Sequence, residues 1–330
     1  MNIKKLKGIR KLSALLQKSS IGGQLFSLLL IVILFLIGTK GSFLHPKNIQ
    51  AIIGLAGIPI IIGLGLHQTI MLGGIDLSLE GVIAICGVLV GMLIRNKATP
   101  MDIGFWIVPV VMAAGALIGM INGLLNTKLR IPSFISTLGM SWVFFGVAIL
   151  ISQGRSIPIT DVRFQRIVNG QLIGIPNILV IALILFVLLQ LVQAKTRYGK
   201  HLYAIGGDEQ LAKQAGVKVD RIKIITFMLA GLFYGLAALF LVTRLNSAAA
   251  RVGNNLLFPS MTAVAVGGVA LTGGIGGAKN VVIGAIIIAA LNNGLVLMRV
   301  NPYIQGAVNG LVLIIAVALT IDRKKLGFIK

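Results

Sequence analysis

The sequence is poor in acidic residues, in cysteine and in aromatic side chains. Only 8 of its 330 residues are Asp or Glu, against 30 Lys and Arg, and 12% of all residues are charged. Soluble globular domains have about a quarter of their residues charged, so this composition excludes an ordinary soluble protein. The single cysteine, Cys86, excludes a disulfide framework within the chain and a cysteine-based metal cluster.

The sequence is rich in hydrophobic residues, which make up 57% of the chain and are arranged in long apolar runs. A membrane-spanning helix needs about 20 mostly apolar residues. We therefore predict an all-α, polytopic membrane protein with about ten transmembrane helices. The eighth run is short, and residues 247–260 before it are suited to a re-entrant or surface helix. The predicted spans are residues 23–38, 50–71, 79–94, 104–126, 133–152, 177–194, 224–243, 259–272, 280–298 and 303–320.

The N-terminal segment resembles a signal peptide in outline, because six cations precede an apolar run. No small-x-small cleavage site follows that run, so we expect an uncleaved first span. The expected organisation is a basic cytoplasmic N-terminus, spans one to six, a cytoplasmic loop, spans seven to ten and a cytoplasmic C-terminal tail, at residues 1–22, 23–194, 195–223, 224–320 and 321–330 respectively.

The excess of Lys and Arg predicts how the chain is oriented. If both termini are cytoplasmic, the inside connectors hold 20 Lys and Arg residues and the outside connectors hold 10. This bias agrees with the rule that cytoplasmic connectors are enriched in cations. The cations lie between apolar runs and form no single patch with interleaved aromatic residues, so the charge indicates a lipid bilayer and no nucleic acid partner.

The loop at residues 195–223 is the longest polar stretch and holds ten of the 38 charged residues. Its middle predicts a short helix, with two acidic residues favourable at its N-terminus and a glycine that ends it. Leu211 and Ala215, at i and i+4, share one face of that helix. The loop is either a solvated connector or the docking site of a cytoplasmic partner. The residues predicted to carry docking are Gly206, Gly207, Asp208, Glu209, Leu211, Ala212, Ala215 and Gly216.

The junction GGIDLSLEG, residues 73–81, places Asp76 and Glu80 between spans two and three. Charged groups at membrane depth are costly and are functional candidates by default. The alternative is that the junction lies at the cytoplasmic interface, where Asp76 or Ser78 caps the N-terminus of span three.

Ionisable residues are nearly absent from the predicted spans. The apolar runs of spans five to ten hold none, and spans one to four add only His67 to the junction pair. A proton relay or a membrane-embedded active site needs such groups, so we expect no catalytic residue, no metal site and an external source of energy. Uncharged polar residues are candidates for a solute pathway, or alternatively for interhelical hydrogen bonds. They are Asn122, Asn126, Ser133, Ser136, Thr137, Ser141, Asn292, Asn293, Gln305 and Asn309.

Five stretches resemble the permease subunits of sugar-type ATP-binding-cassette (ABC) importers, the ribose, xylose, galactose and autoinducer-2 permease family. They are GGIDLS at 73–78, IPSFISTLG at 131–139, RYGKHLYAIGGDEQLAKQAGVKV at 197–219, VAVGGVALTGGIGG at 264–277 and NNGL at 292–295. Related branched-chain amino-acid permeases usually differ at GGIDLS, which favours a sugar-like solute. The motif residues that match at this junction are Gly73, Gly74, Asp76 and Ser78.

The resemblance implies a multi-pass subunit of the bacterial cytoplasmic membrane that acts with several partners. These are a second permease copy or homologue, a cytoplasmic ABC ATPase that docks on the polar loop, and an extracytoplasmic solute-binding protein. ATP and Mg²⁺ would bind the ATPase, and no cofactor is expected in this chain. GGIGGAKN at 273–280 lacks the Gly-Lys-Ser/Thr of a phosphate-binding loop and is interpreted as a glycine turn.

The sequence departs from the family pattern at Glu80. Family members commonly follow GGIDLS with Val-Gly-Ser or Val-Gly-Ala, whereas Leu79-Glu80-Gly81 follows here. The resemblance therefore assigns no role to Glu80. A self-sufficient facilitator or channel for small neutral solutes is the alternative function.

Overall fold

The computed structural model describes residues 22–320, so the basic N-terminus at 1–21 and the tail at 321–330 lie outside the described residues. Thirteen α-helices are present in this range. They are α1 (Gly22–Gly38), α2 (Pro46–Met71), α3 (Leu79–Leu93), α4 (Ile107–Thr127), α5 (Ser133–Ser152), α6 (Val162–Asn169), α7 (Asn177–Lys195), α8 (Arg197–Gly207), α9 (Glu209–Gln214), α10 (Val219–Arg244), α11 (Leu257–Val266), α12 (Ala278–Leu297) and α13 (Pro302–Thr320).

The strands are four two-residue segments between the helices. β1 (Ile157–Pro158) pairs antiparallel with β4 (Ser247–Ala248), and β2 (Gln171–Leu172) pairs antiparallel with β3 (Ile175–Pro176). Three short 3₁₀ helices lie at Ser42–Leu44, Gly104–Trp106 and Ala250–Gly253. The fold is therefore all-α, as predicted.

Long apolar helices dominate the described chain. Six helical segments have the length and hydropathy to cross a membrane, and α1, α3 and the apolar part of α13 are shorter apolar helices. Several of these helices expose large apolar side chains, among them Leu150 and Trp142 of α5 at 78% and 69%. Such surfaces are expected where lipid or another membrane subunit covers them. The chain is a polytopic membrane protein.

The predicted eighth span, residues 259–272, is wrong in its second half. The helix α11 ends at Val266, and the chain continues to Gly277 without regular structure. Gly268, Gly273 and Gly274 have positive φ angles of 89°, 89° and 74°, which a continuous helix cannot contain. The expected glycine turn before α12 is confirmed, and it is longer than predicted.

The polar loop contains two helices where the sequence predicted one. Gly206 and Gly207 end α8, and α9 begins after Asp208, whose side chain accepts hydrogen bonds from the backbone of Gln210 and Leu211 at 2.8 and 3.0 Å. The two glycines therefore close one helix and do not open the next. Gly216, with φ 83°, follows the end of α9 as predicted.

Helix α10 forms the centre of the bundle and packs against α2, α3 and α4. Its contact with α4 is backbone to backbone, because a Cβ atom on Gly119 would collide with the carbonyl oxygen of Phe227. Small residues allow membrane helices to approach this closely, since packing replaces the hydrophobic drive between them. Gly119 therefore lets α4 and α10 pack in direct backbone contact.

Candidate functional site

The connector between α2 and α3, residues 72–78, enters the interior of the bundle. At its start, Gly73 lies beside the carbonyl of Thr272, in the irregular segment before α12. Three residues later, Asp76 accepts a hydrogen bond from the hydroxyl of Tyr234 at 3.2 Å. Tyr234 lies roughly 22 Å along α10 from Val219 at 1.5 Å per residue, so Asp76 lies near the middle of that helix.

Side chains of α5 hold the backbone of this connector. The amide of Ile75 donates to Ser133 Oγ at 3.2 Å, and the amide of Leu77 donates to Thr137 Oγ1 at 2.9 Å. A non-helical backbone inside a membrane protein must find such partners, because no lipid group can satisfy it. The i, i+4 pair on α5 therefore replaces the missing helical hydrogen bonds of the connector.

Asp76 is the single acidic residue of the connector, and it is 1% exposed. Its Oδ1 atom accepts hydrogen bonds from the amide and the hydroxyl of Ser78 at 2.9 and 2.6 Å. The Asn122 amide of α4 donates to the Ser78 hydroxyl at 2.8 Å. Among the described residues no cation pairs with Asp76. The GGIDLS motif thus joins the connector to α4, α5 and α10.

The predicted helix cap at this junction is wrong. Ser78 occupies the position before α3, but its side chain makes no capping hydrogen bond to the helix. Asp76 bonds Ser78 instead, and both side chains are buried within the bundle. A cap at the membrane interface would be exposed to water, whereas Asp76 and Ser78 are each 1% exposed. The interpretation of Asp76 as a group at membrane depth fits the structure better.

The polar loop contacts the connector through glycine. A Cβ atom on Gly206, near the end of α8, would collide with the carbonyl of Met71 and with the amide of Gly274. The amide of Gly274 donates to that same Met71 carbonyl at 3.0 Å. The end of α8, the start of the connector and the turn before α12 therefore meet at one backbone contact, which we call the glycine joint.

A second contact between the loop and the bundle is polar, and it joins the half-buried Tyr198 to the buried side chains of Gln68 and Thr226. The Tyr198 hydroxyl of α8 donates to Gln68 Oε1 at 3.2 Å and lies 3.1 Å from Thr226 Oγ1 of α10. Gln193 Nε2 lies 2.9 Å from His67 Nε2 and donates to Gln68 Oε1 at 3.0 Å. The sequence analysis singled out His67 and missed the others, because only the fold brings residues 126 apart together.

The loop residues predicted to dock a partner are arranged around α9. Leu211 is 62% exposed, and Ala215 is also exposed, whereas Ala212 is buried against the bundle. Lys223 donates to Glu209 at 2.7 Å. The Leu211 side of α9 is therefore free for a partner, and the Ala212 side anchors the helix.

Most of the predicted pathway residues make hydrogen bonds inside the chain. The bonds of Ser133, Thr137 and Asn122 are described above. Ser136 donates to the carbonyl of Ser133, and Asn126 donates to the carbonyl of Ile131. The remaining bonds join Asn309 to Asn292 and Gln305 to the carbonyl of Val300. These residues serve packing in this conformation, and their role in a pathway stays a prediction.

Two of the predicted pathway residues, Asn293 and Ser141, make no side-chain hydrogen bond within the described residues. Asn293 is buried, and its Oδ1 atom has no hydrogen-bond partner, as is also true of Asn122 Oδ1 and Asn309 Oδ1. Ser141 lines a pocket of about 370 Å³ between α3, α5 and the segment before α11. Glu80 also lines this pocket, and its Oε1 atom accepts a hydrogen bond from the amide of Leu257 at 3.1 Å. We call this cavity the Glu80 pocket.

A charged cluster lies at the opposite end of the bundle from the glycine joint. Arg163 donates to Asp161 and to Asp102, each at 2.5 Å, and Arg95 donates to Asp102 at 2.7 Å. The hydrogen bonds from Arg163 and Arg95 lower the pKa of Asp102 to about 2. The cluster ties the loop before α4 to the start of α6.

Comparison with known proteins identifies the class to which this architecture belongs. Residues 48–317 match the family described as branched-chain amino acid transport system / permease component. The chain is 37% identical over 307 residues to the ribose import permease protein of Bacillus subtilis strain 168. The aligned region covers 92% of each chain. No solved structure matches the chain.

Two further relatives come from Escherichia coli K12. The galactose/methyl galactoside import permease protein is 33% identical over 314 residues, covering 90% of this chain and 93% of the relative. The D-allose transport system permease protein is 32% identical over 297 residues, covering 90% of each. This chain belongs to the same permease family and is a transmembrane permease subunit of an ABC importer.

Proposed function

We propose that this permease subunit imports a sugar or sugar-like neutral solute through the bacterial cytoplasmic membrane. The observation that carries the proposal is the match over about nine-tenths of the chain to import permeases named for ribose, galactose and allose. The near absence of ionisable groups from the spans also favours an uncharged solute.

A branched-chain amino acid is the second candidate solute, because the family description names it. The test is accumulation in proteoliposomes that contain this chain with its ATPase and binding protein. We expect accumulation of D-ribose, D-galactose or D-allose and none of L-leucine. Accumulation of L-leucine and of none of the sugars would overturn the proposal.

The proposed topology has ten crossings with both termini in the cytoplasm. In support of it, connectors assigned to the same side contact one another: Ile157 pairs with Ala248 outside, and Gly206 meets Met71 and Gly274 inside. In a Cys86→Ser background, Ile173→Cys should react with an impermeant maleimide in intact cells. Lys200→Cys should react only after the cells are opened, and the reverse pattern would contradict this orientation.

The proposed energy source is a separate cytoplasmic ABC ATPase that docks on α9. The exposed Leu211 side chain and the contacts of α8 with the connector support this role, because a force applied to the loop would reach the interior directly. Replacing Glu209 with Ala and Leu211 with Lys should uncouple ATP hydrolysis from uptake. Uptake that is unchanged in the double variant would exclude docking at α9.

The remaining partners belong to the same proposal. A second copy or a homologue would cover the apolar surface that α5 exposes around Leu150, and a solute-binding protein would deliver the solute from outside. ATP and Mg²⁺ would bind the ATPase and not this chain.

A further inference from the structure

Several polar side chains with unused hydrogen-bonding capacity converge on the Glu80 pocket. Glu80 uses only Oε1, on the Leu257 amide, and its second carboxylate oxygen makes no hydrogen bond to residues 22–320. The side chains of Ser141, Asn254 and Asn255 line the same cavity and are likewise free of such bonds. A cavity with apolar walls and a few convergent polar groups is the usual form of a small-molecule site.

The Glu80 pocket lies at about the depth of Asp76 in the bundle, where a transported solute would pass. Glu80 lies four residues after Asp76, which is bonded to the middle of α10. The carbonyl of Glu80 also lies against Gly253, so the segment before α11 descends from the outer connectors to the same depth. A carboxylate at this depth is costly unless it serves a function.

The chemistry of the lining defines the class of ligand. A carboxylate oxygen accepts hydrogen bonds, a hydroxyl and two amides both donate and accept, and the Trp142 ring supplies an apolar face. The ring of Phe145 packs against Trp142 edge to face, at 6.1 Å between centroids. A polyhydroxylated ring with an apolar face matches this set, and the cavity volume of about 370 Å³ suits a small molecule.

We propose that the Glu80 pocket is a solute-contact site of the import pathway, in which the free Glu80 oxygen accepts hydrogen bonds from the hydroxyls of a neutral sugar. The site rests on the proposed function and adds a specificity-determining residue that the family resemblance does not provide. Arg251 also lines the pocket and makes no ion pair with Glu80. The free oxygen of an ionised Glu80 only accepts hydrogen bonds, so it cannot pair with the carboxylate of an acidic sugar, and the pocket disfavours such a sugar.

The test uses the indole of Trp142 as a reporter. The chain has two tryptophans, so Trp106→Phe leaves Trp142 as the only one. This parent protein, purified in lipid nanodiscs, is titrated with D-ribose, D-galactose, D-allose and D-galacturonate while the indole fluorescence is recorded. We expect a saturable change with at least one neutral sugar and a weaker response to D-galacturonate than to D-galactose.

Three variants separate a contact from a structural effect. Glu80→Gln keeps an oxygen for the Leu257 amide and removes the charge. It should weaken neutral sugar binding about tenfold and narrow the difference in affinity between D-galactose and D-galacturonate. Ser141→Ala should weaken binding without a change in thermal midpoint. Asp220→Asn, at an exposed carboxylate on α10, should bind as the parent does.

Two outcomes would overturn the inference. One is a Glu80→Gln variant that binds all four probes as the parent does. The other is a flat Trp142 signal in a parent whose assembled transporter accumulates one of the three neutral sugars. A transporter that accumulates none of the three would instead contradict the sugar class in the proposed function.

Discussion

The hydroxyl of Tyr234 donates a hydrogen bond to the carboxylate of Asp76, although the two residues are 158 positions apart in sequence. One end of this bond lies in the middle of the central helix, and the other lies on the connector between α2 and α3. The bond therefore fixes how deeply the connector enters the bundle. Both side chains are buried, so neither has water as an alternative partner.

Tyr234→Phe tests the importance of this bond. The variant leaves a buried carboxylate oxygen without a donor, which should cost about 1–3 kcal/mol of stability and lower the thermal midpoint in detergent. Tyr303→Phe is the matched control, because Tyr303 is 89% exposed. Equal midpoints for the two variants would show that the connector does not depend on the bond.

Gly206→Ala tests the glycine joint. The added methyl group meets backbone atoms of Met71 and Gly274, which move only if the connector or the turn before α12 moves. We expect less uptake for each ATP hydrolysed by the assembled transporter. The adjacent Gly207 has open space at its Cβ position, so Gly207→Ala should keep the parent ratio. The account of the joint fails if both variants keep that ratio.

Gly119→Ala tests the contact between α4 and α10. Its methyl group would meet the Phe227 backbone, and overpacking of this kind costs about 1–3 kcal/mol. Gly139→Ala on α5 is the control, since that site is exposed and has open space. Alanine is the better helix former by about 1 kcal/mol, so the control should be slightly more stable than the parent. Thermal midpoints that shift in the same direction would contradict the packing argument.

The sequence predicts the helices well where an apolar run is bounded by charge or proline. It fails at residues 267–272, because Gly-Gly-Val-Ala-Leu-Thr has the apolar composition of a span. What ends α11 is the backbone conformation of Gly268 and the contacts of the turn with Gly73, and neither is visible in a hydropathy pattern.

In the candidate site, too, the sequence identifies unusual residues but does not reveal which of them are in contact. The sequence identifies Asp76, at the junction of spans two and three, and the polar residues of α5, among them Ser133 and Thr137, as candidates. It does not reveal that Ser133 and Thr137 hold the connector, since both hydrogen bonds join residues about 60 positions apart. Glu80 and Ser141 are 61 positions apart, and only the packing of α3 on α5 brings them to one pocket.

The Asp102 cluster predicts a pH dependence at the end of the bundle opposite the glycine joint. Hydrogen bonds from Arg163 and Arg95 lower the pKa of Asp102 from 3.8 to about 2 in the folded protein. A lowered carboxyl pKa contributes stability that is fully present above the unfolded value and is lost as the pH falls toward the folded value.

Asp102→Asn removes the ion pairs and makes this contribution measurable. The difference in thermal midpoint between parent and variant should stay constant from pH 7 to about 5 and shrink between about pH 4 and 2. A difference that does not change with pH over that range would show that the ion pairs contribute no linked stability.

The flux of radiolabelled sugar into vesicles is the most direct test of an importer subunit driven by a separate ATPase. One set of vesicles holds this chain alone, and the other holds the chain with its ATPase, its binding protein and ATP. We predict sugar accumulation in the second set only, with ATP required for it. Rapid equilibration of sugar through the chain alone would contradict the account and would identify a self-sufficient facilitator.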